Sequence, residues 1–221
     1  MYRTLRARRS SRAALVERLG QERADGELLR ILDEAFKEAA RRAGSWLRCE
    51  AGCSDCCYGP FPATQLDAWR LRRGLAALDG RDAERAAAIR RRAREAVATL
   101  GEGFPGEMST GRLSRDETLL GRFFDRHGSL ACPALETGSG RCELYEWRPV
   151  SCRTYGPPLR FDDRSSPPCD LCFRGASPAT VEGCRIVPDR DGLEAAILAS
   201  MGVSADEPWE TLIAFALTAE D

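Results

Sequence analysis

The residues of this sequence best suited to chemistry are its cysteines, four of which fall within the nine residues CEAGCSDCC at positions 49–57. Thiols at this density are expected to be crosslinked as disulfides, bound to a metal, or reactive. The chain has ten cysteines in 221 residues, below the ~8–10% that is typical of a secreted disulfide scaffold. A chain of this length also buries a substantial core without crosslinks. Its size therefore gives no reason to expect disulfides.

The other six cysteines come much later in the chain and extend the pattern over a long range. They are Cys132, Cys142, Cys152, the C-x2-C pair Cys169 and Cys172, and Cys184. The chain has a single histidine, His127, which we expect to serve the C-terminal end of a helix rather than a metal. A site built from several protein ligands must therefore be dominated by thiolates. Soft thiolates select zinc, copper(I) or iron–sulfur clusters over magnesium or calcium.

The adjacent pair Cys56 and Cys57 narrows these choices. Neighbouring Cα atoms lie about 3.8 Å apart, whereas disulfides usually join Cα atoms roughly 4.4–6.8 Å apart, so a disulfide between the two would be strained. We expect the two side chains to point in different directions, which suits two corners of a multinuclear cluster better than one tetrahedral ion. The pair thus favours an iron–sulfur or multi-metal centre over a single zinc. One ligand beside one buried bystander stays an alternative.

Two arginines flank Cys152 in the segment WRPVSCRTYG. A cationic neighbour lowers the pKa of a thiol and offsets the negative charge of a thiolate-ligated centre. Arg148 and Arg153 are therefore predicted to lie beside the ligands and to interact with the cofactor through their charge. In contrast, the arginine-rich run IRRRARE, residues 89–95, is predicted to be a solvated helix face with intrahelical ion pairs.

Helices must position these cysteines, and apolar periodicity predicts several of them. The clearest runs over residues 24–44, stops near Gly44 and delivers the chain to the first cysteine cluster. The other predicted helices cover residues 64–78, 81–100, 114–128, 191–201 and 206–219. Three of them have predicted starting residues, which are Thr64, Asp82, and Ser114 in a capping box with Glu117.

Residues 129–190 differ from the rest of the chain, with frequent glycine, proline, serine and aspartate and six of the ten cysteines. A loop-rich segment of this length is unusual in a compact domain. Metal–thiolate bonds can organise it, because the free energy of metal binding contributes to folding. Short strands are predicted at 142–147 and 184–188. The predicted fold is therefore mainly α, with an irregular, cysteine-rich, metal-organised segment and at most short strands.

The predicted domain organisation is a basic N-terminal extension over residues 1–23 and a single helical metal-binding domain over 24–221, with its cysteine core at about 49–170. The apolar run at 13–16 is cut short by charged residues, so it does not form a secretory signal. No apolar run is long enough to span a membrane. A cytoplasmic location is predicted, where thiols stay reduced. The net charge of −1 gives no attraction to nucleic acid or to anionic lipid, and neither is an expected partner.

Two segments resemble a known family. CEAGCSDCC and CPALETGSGRCELYEWRPVSCRTYG are similar to the YkgJ-type cysteine-cluster family, which is described as chelating zinc or iron and is related to the cluster domains of flagellin lysine N-methylases. The resemblance spans about residues 49–170. It implies eight metal ligands, which are Cys49, Cys53, Cys56, Cys57, Cys132, Cys142, Cys152 and Cys169. The gap of three residues after Cys49 departs from the two that are common in the family. Cys172 and Cys184 have no family counterpart and are either extra ligands or ordinary thiols.

Three functions are consistent with this pattern. The first is a metal-binding protein that holds an iron–sulfur cluster, the favoured cofactor, or zinc through the eight matched cysteines. The second is a metal-dependent enzyme that modifies a protein or peptide substrate, for example by methyl transfer, although no glycine-rich nucleotide loop follows a strand here. The third is a structural zinc module that binds a protein partner. No catalytic residue is predicted.

Overall fold

The computed structural model describes residues 12–161, 164–204 and 208–219 of the chain. The basic extension predicted over 1–23 thus lies partly outside the described residues. The chain divides into two compact units, each assembled from two segments. Unit 1 comprises Met1–Glu50 and Val150–Pro208, and unit 2 comprises Ala51–Pro149 and Trp209–Asp221. The single domain predicted over 24–221 stays a prediction.

Helices provide most of the regular structure. Residues 12–19 are helical and are called α1 here. The other α-helices are α2 (Gln21–Ala43), α3 (Gln65–Asp79), α4 (Ala83–Leu100), α5 (Glu117–Arg126), α6 (Val150–Thr154), α7 (Pro178–Gly183), α8 (Leu193–Ser200) and α9 (Ile213–Thr218). Three 3₁₀ turns occupy Gly44–Trp46, Asp55–Cys57 and Tyr145–Trp147. None of the helices in the described part of the chain combines the length and the apolarity needed to cross a bilayer.

The strands are short and form two-stranded antiparallel pairs. They are β1 (Pro62–Ala63), β2 (Gly106–Glu107), β3 (Arg112–Leu113), β4 (Leu135–Glu136), β5 (Arg141–Cys142), β6 (Leu159–Phe161), β7 (Arg164–Ser166) and β8 (Thr211–Leu212). The pairs are β1 with β8, β2 with β3, β4 with β5, and β6 with β7. The predicted fold, mainly α with at most short strands, is confirmed.

Unit 1 is organised around α2. Leu28, Leu32 and Ala39 recur at helical spacing along this helix and are fully buried. Their face packs against α6, α7 and α8. Burial of this apolar face stabilises the helix, since packing contributes more to helical stability in proteins than intrinsic propensity does. The helix ends just before Gly44, as predicted from the sequence.

Unit 2 has a core of three helices, α3, α4 and α9, which pack against one another. Thr64 caps α3 in a capping box with Asp67, and the Asp82 carboxylate caps α4 by accepting a hydrogen bond from the Arg85 N–H. The pairing of β1 with β8, in which Pro62 lies opposite Leu212, brings the C-terminal segment into this core. The pairing of β1 with β8 therefore joins the two chain segments of unit 2, the first of which contains Cys53, Cys56 and Cys57.

Candidate metal centre

The ten cysteines are shared equally between the two units. Unit 2 contains Cys53, Cys56, Cys57, Cys132 and Cys142. Unit 1 contains Cys49, Cys152, Cys169, Cys172 and Cys184. Of the eight predicted ligands, five thus lie in unit 2 and three, namely Cys49, Cys152 and Cys169, lie in unit 1.

In unit 2, backbone hydrogen bonds join three cysteine-bearing segments that are distant in the sequence. The Cys132 N–H donates to the Cys57 carbonyl at 2.8 Å, next to an antiparallel bridge between Tyr58 and Ala131. Cys142 lies on β5 opposite Leu135 of β4, and the Leu135 N–H donates to the Cys132 carbonyl at 2.9 Å. Cys57, Cys132 and Cys142 are therefore held in one region by the backbone itself.

The adjacent cysteines of unit 2 lie in the 3₁₀ turn Asp55–Cys57, which the Cys57 N–H closes by donating to the Ser54 carbonyl at 2.8 Å. The interaction with the neighbouring Cys57 thiol is the main cause that raises the pKa of Cys56, followed by burial and by the charge of Cys57. The two thiols thus influence each other, and the expectation that they occupy two corners of a multinuclear cluster stays a prediction.

Cys142 belongs to the same neighbourhood as Cys56. Burial is the main cause that raises the pKa of the Cys142 thiol, and the charges of Glu143 and Cys56 raise it further. The Leu144 N–H and the positive charge of Arg148 act in the opposite direction on Cys142, and Arg148 also lowers the pKa of Cys56. One guanidinium therefore acts on two thiols from different segments.

Arg148 is held in position by its own neighbours. Its guanidinium carbon lies 3.6 Å from the centre of the Tyr145 ring, a cation–π contact. Its carbonyl accepts a hydrogen bond of 3.5 Å from Nη1 of Arg70, which is buried on α3. A fixed positive charge beside Cys56 and Cys142 can balance the negative charge that thiolate ligands give to a metal centre.

Arg153, the other arginine predicted to lie beside the ligands, is in unit 1. Its guanidinium is almost fully buried and donates to both carboxylate oxygens of Asp33 on α2, at 3.0 and 3.3 Å. This ion pair ties the short helix α6 to α2. Cys152, which is partly buried, lies on α6 next to Arg153. The pair thus fixes the helix that carries this predicted ligand.

Arg92 of α4 is a residue of the site that the sequence interpretation missed. Its Nε donates to the Pro133 carbonyl at 2.8 Å, and its Nη2 forms an ion pair with Glu143. Arg85 pairs with the same carboxylate at 3.0 Å. Arg92 belongs to the run 89–95, which was predicted to face solvent. Its role is visible only in the tertiary structure, where it holds Pro133 and Glu143, the residues next to Cys132 and Cys142.

The two loops that carry Cys53 and Cys142 pass each other closely at Gly52 and Gly140. Gly140 has a φ of +69°, and a Cβ added to it would lie 2.6 Å from the Gly52 carbonyl oxygen. A side chain at position 140 would therefore meet both an unfavourable backbone conformation and a steric clash. The absence of a side chain at Gly140 therefore allows the backbones of the two loops to approach each other closely.

Replacing Gly140 with alanine is expected to destabilise unit 2 by about 2–4 kcal/mol, because the left-handed conformation and the clash each cost about 1–2 kcal/mol or more. The matched control is Gly202→Ala, since Gly202 has a similar φ of +78° but open space around it. The control should lose only the conformational part, about 1–2 kcal/mol. Urea unfolding at constant metal loading measures both values, and equal losses would show that the close approach to Gly52 has no energetic weight.

In unit 1, Cys169 is buried and its N–H donates to the Gly156 carbonyl at 3.0 Å. The exposed Cys49 directs its sulfur to the Tyr155 carbonyl at 3.9 Å. The two predicted ligands therefore border the same short segment, 155–156.

His127, in unit 2, ends α5 and packs on Phe123 with 4.7 Å between ring centres, in keeping with the structural role predicted for it.

The donor chemistry of the unit 2 group fits a soft metal, because the unit contains five thiols, the Arg148 guanidinium acts on two of them, and backbone bonds join three of their segments. A complete coordination shell is not preassembled: among the residues that the structure describes, no three or more His, Cys, Asp or Glu side chains are arranged to hold a metal ion. The fit thus rests on the type of donor and on the segments that are brought together. Metal binding would have to complete the arrangement, as is common where binding is coupled to folding.

The comparison with known families points to the same chemistry. The family model CxxCxxCC, described as "Putative zinc- or iron-chelating domain", matches residues 48–170. No curated protein and no solved structure gave a match. The matched span covers more than half of the chain and contains all eight predicted ligands, so the predicted resemblance to a cysteine-cluster family is confirmed. The chain therefore belongs to the CxxCxxCC family, and this membership supports metal binding as the role of its cysteine cluster.

Proposed function

We propose that the protein binds iron or zinc through the thiolates of unit 2, with an iron–sulfur cluster as the favoured form. The observation that carries the proposal is the backbone bonding that unites the segments of Cys57, Cys132 and Cys142, which are up to 85 residues apart in the sequence. The proposed ligands are Cys53, Cys56, Cys57, Cys132 and Cys142. Iron–sulfur clusters and structural zinc are both commonly held by four thiolates, so this group can supply either centre.

Two features of the proposed ligands bear on the choice between an iron–sulfur cluster and zinc. The Cys132–Pro133 step remains typical of cluster ligands. The mutual effect of the Cys56 and Cys57 thiols, however, is compatible both with two corners of a cluster and with one shared ion. Direct measurement of iron, sulfide and zinc must therefore decide between the two forms of the proposal.

Arg148 is proposed as the counter-charge of this centre, since its guanidinium acts on both Cys56 and Cys142. Arg153 is proposed to act more remotely, by fixing α6 through Asp33. Cys49, Cys152 and Cys169 stay predicted ligands on the strength of the family match. The proposal assumes a reducing compartment, the cytosol, because disulfide formation would compete with metal binding for the same thiols.

Anaerobic purification followed by iron, zinc and acid-labile sulfide analysis tests the proposal. The wild-type protein is expected to be brown, with iron and sulfide in equal amounts, and Cys57→Ser should lose at least tenfold of its iron and sulfide because one ligand of the cluster is removed. Ser54→Ala is the matched control, since Ser54 lies beside the same 3₁₀ turn and contributes no thiol. It should keep its metal.

Each result has a separate meaning. Colourless protein that holds only zinc, one ion of which is lost in Cys57→Ser, would contradict the cluster form and support the zinc form. A Cys57→Ser variant with the wild-type metal content would contradict the assignment of the centre to unit 2. Protein that is isolated metal-free and does not take up iron or zinc on reconstitution would contradict both forms.

A further inference from the structure

Three cysteines of unit 1 are buried together. Cys169, Cys172 and Cys184 are 7%, 5% and 3% exposed, and they pack in one cluster with Phe173 and Ala43. Cys172 and Cys184 lie beyond the span that matches the CxxCxxCC family, and the unit 2 centre does not use them. A buried thiol can act as a small apolar side chain. The hydrogen bonds and the backbone conformation of this cluster indicate metal binding instead.

The C-x2-C segment forms a turn whose sulfurs accept backbone hydrogen bonds. The Cys172 N–H donates to the Cys169 carbonyl at 2.8 Å and closes the turn. The Leu171 N–H points to Sγ of Cys169 at 3.5 Å, and the Arg48 N–H points to Sγ of Cys172 at 3.4 Å. A thiol sulfur is a weak acceptor, whereas a thiolate sulfur accepts strongly. Backbone amides are thus directed at both sulfurs of the turn, an arrangement that metal-bound thiolates can use as acceptors.

Phe173, the residue after this turn, has an unusual backbone conformation. Its φ of +57° is rare for a bulky residue. The conformation costs about 1–2 kcal/mol. Its N–H donates to the Trp46 carbonyl at 2.8 Å, which holds the strained turn in place. Strain of this kind persists where the surrounding structure imposes it, and it is concentrated at functional sites. Here it sets the direction of the chain immediately after Cys172.

Cys49 and Cys184 border the same turn. Cys49 follows Arg48, whose N–H contacts Cys172. Its sulfur occupies the space that Gly156 leaves open, since a Cβ added at Gly156 would approach Sγ of Cys49 to 2.6 Å, and the Gly156 carbonyl accepts the N–H of Cys169. Cys184 ends α7 and is a free thiol within the buried cluster. Four thiols from three segments thus surround one turn.

We infer that Cys169, Cys172, Cys184 and Cys49 bind one zinc ion in unit 1. Zinc in structural sites takes four ligands in a tetrahedron, and a C-x2-C turn commonly supplies two of them. Because the described residues do not hold a closed set of three ligands, zinc binding is expected to draw Cys184 and Cys49 toward the turn. This site would join α7 and the end of α2 to the segment 169–172. Its existence does not depend on the proposed centre of unit 2.

Alkylation of the full-length wild-type protein tests the inference. Metal-free protein is treated with N-ethylmaleimide with and without added zinc, and peptide mass spectrometry gives the rate of modification at each cysteine. Zinc at about 100 times its Kd should slow the reaction of Cys172 and Cys184 about 100-fold, because a buried thiol reacts only after opening and zinc stabilises the closed form. Equal rates with and without zinc would overturn the inference. The rates at Cys56 and Cys57 report independently on unit 2.

A pair of variants separates the two sites. Cys184→Ala should bind one zinc fewer than the wild type by native mass spectrometry, and zinc should no longer protect its Cys172. The matched control Cys142→Ala lacks a thiol of unit 2 and should retain the protection of Cys172. A Cys184→Ala protein with undiminished zinc and full protection at Cys172 would refute the assignment. A disulfide between Cys169 and Cys172 in freshly isolated protein would refute it as well.

Discussion

Replacing Asp67 with asparagine is expected to lower the free energy of unfolding of unit 2 by about 3–5 kcal/mol, the usual effect of breaking a buried ion pair. Asp67 and Arg70 are 4% and 1% exposed in their side chains, and 2.6 Å separates Oδ1 from Nη1. The substitution removes the carboxylate charge beside a guanidinium that is out of reach of water. Asparagine keeps the shape of the side chain, so that the loss reports mainly on charge.

Urea unfolding of metal-loaded protein measures this effect. The matched control is Asp116→Asn, because Asp116 is an exposed N-cap and asparagine caps helices about as well as aspartate. The control should change stability by less than about 0.5 kcal/mol. An Asp67→Asn protein as stable as the control would show that the buried pair contributes nothing. The double substitution Asp67→Leu with Arg70→Met should be less harmful than the single one, since it leaves no buried charge.

The ion pair also bears on the proposed metal centre, because the Arg70 guanidinium donates to the carbonyl of Arg148 as well. Arg148 lies beside the thiols of Cys56 and Cys142. A disturbance at Asp67 can therefore reach the site through two hydrogen-bonded residues. The buried pair on α3 is thus part of what holds the counter-charge in place.

Helices of the fold could be predicted from the sequence where local signals agree. Thr64 and Asp82 act as the predicted caps of α3 and α4, and the apolar spacing of Leu28 and Leu32 marks the buried face of α2. Capping and periodicity depend on residues within a few positions of one another. Such signals can be read from the sequence without knowledge of the tertiary structure.

The prediction was wrong where two local signals compete. Ser114 was expected to cap the helix at 114–128, but Asp116 accepts hydrogen bonds from the N–H groups of Thr118 and Leu119, and α5 begins at Glu117. Both serine and aspartate are good caps. The Ser114 side chain instead accepts a hydrogen bond from the Asp116 N–H. Only the tertiary structure selects between the two residues.

Long-range pairing accounts for a second group of differences. A helix was predicted over 206–219, of which 206 and 207 lie outside the described residues, but Thr211–Leu212 pairs with Pro62–Ala63 and α9 begins after it. A strand pair as distant as β1 and β8 leaves no periodic trace in such short segments. The strand predicted at 142–147 differs for a local reason, since Cys142 ends β5 in a hairpin with Leu135, and Tyr145–Trp147 forms a 3₁₀ turn.

The cysteine groups could be predicted only in part. Spacing and the family resemblance identified the residues, but the division of the ten cysteines between two units depends on which segments pair in space. The role of Arg92 depends on the same tertiary arrangement, since it contacts Pro133 and Glu143 from α4. Sequence reasoning thus identified the donors and missed the frame that holds them.

Removal of the metal from unit 2 is expected to lower its free energy of unfolding by about 4 kcal/mol when free metal has been held near 1,000 times the Kd. For a chain of this size the loss corresponds to a fall in Tm of about 8–16 °C. The physical reason is the scarcity of regular structure around Cys132 and Cys142. Between residues 129 and 149, the described chain has only the β4–β5 pair and the 3₁₀ turn Tyr145–Trp147. Metal–thiolate bonds would supply the organisation that packing does not.

Tryptophan fluorescence during heating can follow unit 2 alone, because three of the four tryptophans lie there and Trp46 belongs to unit 1. The experiment therefore uses Trp46→Phe protein before and after a chelator removes the metal. The matched control adds Cys57→Ser, which already lacks a proposed ligand, and the chelator should leave its Tm unchanged. If chelation does not shift the Tm of the protein that keeps Cys57, the metal does not stabilise unit 2, and the irregular segment must be held by Arg92, Glu143 and the strand pair alone. If chelation shifts both proteins equally, the stabilising metal binds without Cys57.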